Sequence, residues 1–289
     1  MFEYLPKNAL KEVNKINSND ICELRIRANG YSVINCIGQV YPFKYVFTNS
    51  DVEEIVLNVC KRSIYSFEEQ IKQGFITTCY GERIGLAGEF VYDGDKIQTL
   101  KNFSSLCIRI PKQVDGFSQK FFNEYYDDKN VLIISKTGVG KTTFLRDLVK
   151  NISNNTLKNI VVIDERNEIA CKNNVFSFDV GKTADVLTYS TKDYGFITAL
   201  RTLNPEIVAT DELVGEKDFK GVVKGHLAGL KIIATIHAEN VEDLLKKKYI
   251  NVIIKNKVFD KYVFLSKEKN NRKVEIYSSK LEKLCCYLN

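Results

Sequence analysis

The chain has 289 residues, 44% of them hydrophobic and 27% charged, which is enough for one large or two ordinary domains with a real core. A net charge of +6 permits contact with an anionic surface or nucleic acid but demands neither. No apolar run is long enough to span a bilayer, and MFEYLPKNALKEVNK at the N-terminus lacks a signal-peptide core, so a cytosolic protein is expected.

From the start, Asn8 to Asn17 reads as a short polar helix and Ile21 to Ile26 as an alternating strand. Asn29-Gly30 is a hairpin signal, with a second strand from Tyr31 to Ile37. Ser50-Asp51-Val52-Glu53 has the pattern of a capping box, opening a helix whose apolar face carries Ile55, Val56 and Val59. A helix from Ser66 to Lys72 ends at Gly74; strands follow at Phe75 to Cys79, Glu82 to Tyr92 and Ser105 to Ile110. This first part is a small α+β unit without a catalytic constellation. The eight cysteines form no CxxC pair and read as reduced, packed residues. Two histidines, His226 and His237, exclude a multi-histidine metal site.

The segment from Pro111 to Asn130 is polar and aromatic and reads as a bridge. Beyond it strands alternate with helices, the mark of a parallel sheet. Strands are expected at Val131–Ile134, Ile160–Asp164, Ile207–Asp211 and Lys231–Ile236, and helices at Gly195–Leu203, Asp218–Ala228 and Val241–Lys248. Tyr262–Leu265 and Val274–Tyr277 read as a closing hairpin.

The organising stretch is VLIISKTGVGKTTFLRD, from Val131 to Asp147. An apolar β-branched run enters Ser135-Lys136-Thr137-Gly138-Val139-Gly140-Lys141-Thr142-Thr143, and a helix with Phe144, Leu145, Leu148, Val149 and Ile152 on one face follows. Strand, glycine loop and helix in that order form the context of a phosphate-binding P-loop. Gly138 and Gly140 let several N–H groups converge on one concavity, and the helix adds its positive end. Lys141 is placed to reach the β- and γ-phosphates, and the Thr142 hydroxyl to ligate Mg²⁺. Ser135 stands where the pattern GxxxxGK[ST] has its first glycine, which either strains the turn or narrows its φ/ψ choice.

Two later strands end in acidic pairs: IVVIDERNEIA, with Asp164, Glu165 and Glu168, and PEIVATDELVG, with Asp211 and Glu212. In an open α/β sheet, ligands bind beyond the carboxyl ends of the strands, where the P-loop also lies. One carboxylate is needed for the metal shell and another to orient water. Asp211 takes the first role and Glu212 the second, with Glu165 as its rival. KIIATIHAEN ends in Thr235 and His237, a polar strand tip placed to contact the γ-phosphate. Arg83 and Arg109 are candidates to reach a neighbouring copy's nucleotide.

The later half resembles the RecA-like secretion ATPases of type II and type IV systems, on RTLNPEIVATDE from Arg201 and on HLAGLKIIATIHAEN, which matches their histidine box. Nearly the whole chain is similar to the stage III sporulation protein AA family. The similarity runs through ELRIRANG, YSFEEQIKQGFITTCYGERIGLAGEF, SSLCIRIPKQVDG, KTGVGKTTFLRD, VVIDERNEIA, DVGKTADVL and ATDELVGEKD. It implies an α/β protein with a RecA-like P-loop NTPase domain (130–289), a smaller α+β N-terminal domain (1–110) and a linker (111–129). It also implies ATP and Mg²⁺ as cofactors and a homo-oligomeric ring, a hexamer. The place implied is cytoplasmic, peripheral at the inner face of the mother-cell membrane, with integral membrane proteins of a secretion-like channel to the forespore as partners. Nucleic acid is not expected as a partner. Two other readings stay open: a RecA-like nucleic-acid motor using Arg25, Arg27, Tyr31, Tyr41 and Phe43 as a binding face, and a nucleotide-gated scaffold with little turnover.

Overall fold

Alternation of apolar and polar residues in the first third, then buried β-branched runs separated by amphipathic helices, produce two different sheets. They are seen in a computed structural model, which describes residues 2–61, 63–78, 80–172, 177–268 and 271–289. The chain divides into two compact units, Met1–Lys112 and Gln113–Lys172 with Phe178–Asn289.

In the first unit, helix α1 (Lys7–Val13) precedes strands β1 (Ile21–Arg27), β2 (Val33–Cys36) and β3 (Gln39–Pro42). Helices α2 (Asn49–Val59) and α3 (Glu68–Lys72) follow, then β4 (Phe75–Thr77), β5 (Arg83–Asp93) and β6 (Lys96–Arg109). The sheet order is β3-β2-β1-β6-β5-β4, with every neighbouring pair antiparallel. Leu24 and Ile26 of β1 and Ile108 of β6 point to the face where Val52, Ile55 and Val56 of α2 are buried with them. The last expected strand, Ser105 to Ile110, is only the end of β6, which pairs with β5 back to the turn at Asp93-Gly94. Cys79, expected at the end of a strand, lies outside the described residues.

The capping box sits two residues earlier than the sequence pattern suggested. Thr48 is the N-cap: its hydroxyl accepts from the Asp51 amide at 3.1 Å, while the Asp51 carboxylate accepts from the Thr48 amide at 2.7 Å. Ser50 therefore falls inside α2. Asp51 is the shared residue of both patterns, and the one that can close the reciprocal pair is the one three residues after the cap.

In the second unit, α4 (Gln119–Phe121) leads to β7 (Val131–Ser135), α5 (Lys141–Thr156), β8 (Ile160–Asp164) and β9 (Ala184–Thr188). Then come α6 (Lys192–Thr198), β10 (Ile207–Thr210), α7 (Glu216–Leu227) and β11 (Lys231–His237). The chain closes with α8 (Val241–Leu245), α9 (Ile250–Lys255), β12 (Lys261–Glu268), β13 (Asn271–Ser278) and β14 (Lys283–Leu288). The sheet order is β14-β13-β12-β7-β11-β10-β8-β9. Strands β12 through β9 in that order are parallel, and β13 and β14 are added antiparallel.

Both faces of the parallel strands are covered, as their unbroken apolar runs require. Leu145, Leu148, Val149 and Ile152 of α5 pack on one face with Phe117, Phe121 and Phe144; the Phe117 and Phe144 rings meet edge to face at 5.1 Å. Phe196, Phe219, Val222, Leu244 and Ile253 from the other helices pack on the opposite face. No helix among the described residues is long and apolar enough to cross a membrane.

Candidate active site

The parallel strands place their carboxyl ends along one edge, and the polar residues singled out in the sequence collect there. Ser135 ends β7 and pairs in register with His237, which ends β11; Asp211 and Glu212 follow β10 directly, and Asp164 ends β8, with Glu165 next.

The loop from Lys136 to Gly140 turns on two left-handed glycines, Gly138 at φ +77° and Gly140 at φ +118°. A Cβ on Gly140 would stand 3.2 Å from Cε1 of Phe117. Val139 is buried and anchors the loop in the core below. The amides of Lys141, Thr142 and Thr143 open α5 and have no acceptor within the helix, so they form the donor end of a 16-residue helix. Lys136 points outward to Glu239 at 2.7 Å, and Thr137 is exposed. Ser135 is not among the residues with left-handed backbone. It is the last residue of a regular strand, buried, and its hydroxyl donates to the Lys136 carbonyl at 2.7 Å. The turn therefore does not need a glycine there.

Lys141 curls back over this loop. Its ammonium donates to the carbonyls of Ser135 (3.0 Å) and Lys136 (3.2 Å), to the Ser135 hydroxyl (3.3 Å) and to His237 Nδ1 (2.9 Å). Burial pushes its pKa down to about 8, against the opposing charge of Glu212. Because an ammonium can only donate, His237 Nδ1 is an acceptor and Nε2 carries the ring proton. That proton faces Glu212 Oε1 at 3.3 Å. Burial first, and the Lys141 ammonium second, lower the His237 pKa and keep the ring neutral. Glu212 Oε2 also accepts from Arg166 at 3.1 Å, and its backbone amide donates to the Thr235 hydroxyl at 2.8 Å. Thr235 thus acts on the Glu212 turn.

The two acidic pairs divide their work. Asp164 is buried and accepts the amides of Glu168, Ile169 and Ala170, so it shapes its loop. Glu165 is engaged by Lys192 at 2.5 Å. Asp211 is buried, and burial raises its pKa to about 6 despite the opposing charge of Lys192, 3.7 Å away. Its Oδ1 has no hydrogen-bond partner. An orphaned, buried carboxylate oxygen and a half-buried Thr142 hydroxyl suit a hard divalent cation that keeps part of its water shell. Among the described residues no cluster of three or more His, Cys, Asp and Glu could cage a metal alone, so the phosphates would have to complete its shell.

Lys192 and Arg146 escaped the sequence reading. Lys192 lies outside the helix expected from Gly195 to Leu203 and enters it only because α6 begins at Lys192, so no local signal marked it. Arg146 lies in α5. It is buried, donates to the carbonyls of Ile169 and, at 2.8 Å, Glu168, and stacks over Phe178 at 3.8 Å. In the first unit Arg25 and Arg109 both pair with Glu23, at 2.7 and 3.6 Å, and Arg83 lies over the Phe75 ring at 4.2 Å. Phe43 is buried in that unit's core and so cannot belong to a base-stacking face.

Residues 8–284 match the family model described as Sporulation stage III, protein AA. The chain belongs to the stage III sporulation protein AA family. It is 32% identical over 278 residues to stage III sporulation protein AA of Bacillus subtilis (strain 168), covering 92% of this chain and 90% of the relative. Among solved structures it is similar to the ATPase DotB of Yersinia pseudotuberculosis, with a TM-score of 0.67 and 14% identity over 96% of this chain and 81% of the other. It is also similar to the pilus retraction motor PilT solved with ADP, with a TM-score of 0.64 and 12% identity over 95% and 82%. These likenesses give this family member its fold, a RecA-like P-loop domain with a smaller α+β N-terminal domain.

Proposed function

We propose that the chain is a Mg²⁺-dependent ATPase that energises a secretion-like channel between mother cell and forespore during endospore formation. The observation carrying this reading is the convergence of Lys141, Asp211, Glu212 and His237 on the carboxyl edge of one parallel sheet, beside a glycine loop and a helix N-terminus.

In this reading the α5 amides and Lys141 hold the phosphates of ATP. Lys141 must give up its bonds to Ser135 and Lys136 to do so. Thr142 and Asp211 hold the metal, whose chemistry is to neutralise charge on the transferred phosphoryl group. Glu212 orients the attacking water, with Arg166 and His237 fixing its carboxylate; Glu165, held by the buried Lys192, is its rival. His237, between Lys141 and Glu212, senses the γ-phosphate. The active form is a hexameric ring, peripheral at the inner face of the mother-cell membrane, with integral membrane proteins of the channel as partners. Nucleotide state is passed on through relative motion of the two domains.

A nucleotide-gated scaffold with little turnover is the reading that this one has to exclude. Steady-state phosphate release with Mg-ATP, wild type beside Lys141→Ala over a protein concentration series, separates the two. Turnover that rises with concentration and vanishes in the variant is expected. Tight ATP binding without turnover would favour the scaffold.

A further inference from the structure

Lys192 is the charged group of this site that neither the phosphate loop nor the acidic strand tips account for. It is 4% exposed and occupies the first turn of α6. Burial and the helix dipole both oppose a cation there, so its partners must hold it. Its backbone position is fixed, because α6 lies hard against β8: a Cβ on Gly195 would come within 2.6 Å of the Ile163 side chain. From that anchor the ammonium reaches Glu165 Oε2 at 2.5 Å and stands 3.7 Å from Asp211 Oδ1.

A cavity of about 360 Å³ contains this group, lined by Glu165, Arg166, Lys192, Asp211, Glu212 and Asp218. Arg166 is taken by Glu212, and Asp218 accepts the amides of Val214 and Gly215 at 2.9 and 3.0 Å. Glu165 and Asp211 therefore share Lys192. The Asp211 oxygen facing it is buried and accepts no hydrogen bond, so the contact is one of charge alone. Two facing carboxylates with an orphaned oxygen would attract a free divalent cation from solution. Lys192 already supplies the positive charge.

We propose that Lys192 is a built-in counter-cation, a positioning residue that stops Glu165 and Asp211 from holding a free divalent ion, so that metal reaches Asp211 only together with phosphate. Its purpose rests on the nucleotide reading above; its test does not.

The test is Mn²⁺ binding to the nucleotide-free full chain, read by electron paramagnetic resonance of the free ion. Lys192→Met should bind Mn²⁺ at least about tenfold more tightly than wild type, because a nearby like charge has gone. Lys192→Arg should behave as wild type, and adding Asp211→Asn to Lys192→Met should erase the gain. A folded Lys192→Met chain with unchanged Mn²⁺ affinity overturns the proposal, as does a gain that survives Asp211→Asn. Should Lys192→Met not fold, Lys192→Gln removes the charge while leaving a polar group for Glu165 to accept from, and a tighter site is still expected; wild-type affinity there overturns the proposal equally. Tighter Mn²⁺ binding beside a wild type that releases no phosphate would sink the ATPase reading and leave the counter-cation standing. The reverse pair of results would do the opposite.

Discussion

Glu212 Oε1 lies 3.3 Å from Nε2 of His237, whose other nitrogen is 2.9 Å from the Lys141 ammonium, so one neutral imidazole joins the carboxylate proposed to orient water to the lysine proposed to bind phosphate. Glu212→Gln keeps the shape of that chain and removes its charge. ATP affinity should stay within about threefold, while turnover falls by about 10²-fold or more, the usual contribution of a positioned general base. Nucleotide binding by fluorescence beside phosphate release checks both. Unchanged turnover would move the role to Glu165.

Asp211 offers a prediction with a pH sign. Its folded pKa is raised from 3.8 to about 6, chiefly by burial. Between those values the folded state binds more protons than the unfolded one, so stability falls as pH rises through this window, and the full penalty holds above about 6. The shift is worth about 3 kcal/mol at most. Asp211→Asn should therefore raise the thermal midpoint at pH 7 while abolishing turnover, with the gain shrinking near pH 4. A midpoint lower than wild type at pH 7 would contradict this.

The glycine loop, the strands and the acidic tips were legible in the sequence because each has a local cause. Val131–Ile134 is too apolar for anything but a covered strand, and a helix pattern must follow Lys141. Strands β9 and β14 were not legible. ADVLT at Ala184–Thr188 is short, with one exposed and four half-buried residues, so it has neither strict alternation nor a continuous apolar run. Among the described residues, Lys283–Leu288 pairs only with β13. The roles of Lys192 and Arg146 depend on partners at Glu165, Asp211, Glu168 and Ile169, contacts that topology creates and local pattern cannot display.

Ser135→Gly would restore the usual loop glycine, and the structure argues against any benefit. The backbone there is not left-handed, and the hydroxyl bridges the Lys136 carbonyl and the Lys141 ammonium. Glycine would add freedom to a strand end and delete a buried hydrogen-bonding group, costing about 1 kcal/mol. ATP affinity and turnover should change less than about threefold, since the loop amides are unaffected. A turnover gain of tenfold or more in phosphate release would show that Ser135 restrains the enzyme.

Arg146 is the test of how the acidic loop is held. Its guanidinium donates to the Ile169 and Glu168 carbonyls and feels the charge of the buried Asp164, which accepts three amides of the same loop. Arg146→Met is similar in length and can still pack on Phe178, but it leaves two carbonyls without their donor and a buried carboxylate without its cation. A loss of about 2–4 kcal/mol is expected. Arg166, which holds Glu212, sits on this loop, so turnover should fall while ATP affinity, set by the loop before α5, holds. Urea unfolding of the variant, read beside nucleotide binding, checks the pair. A stability change under about 0.5 kcal/mol would mean that the three amides alone hold Asp164 and the loop in place.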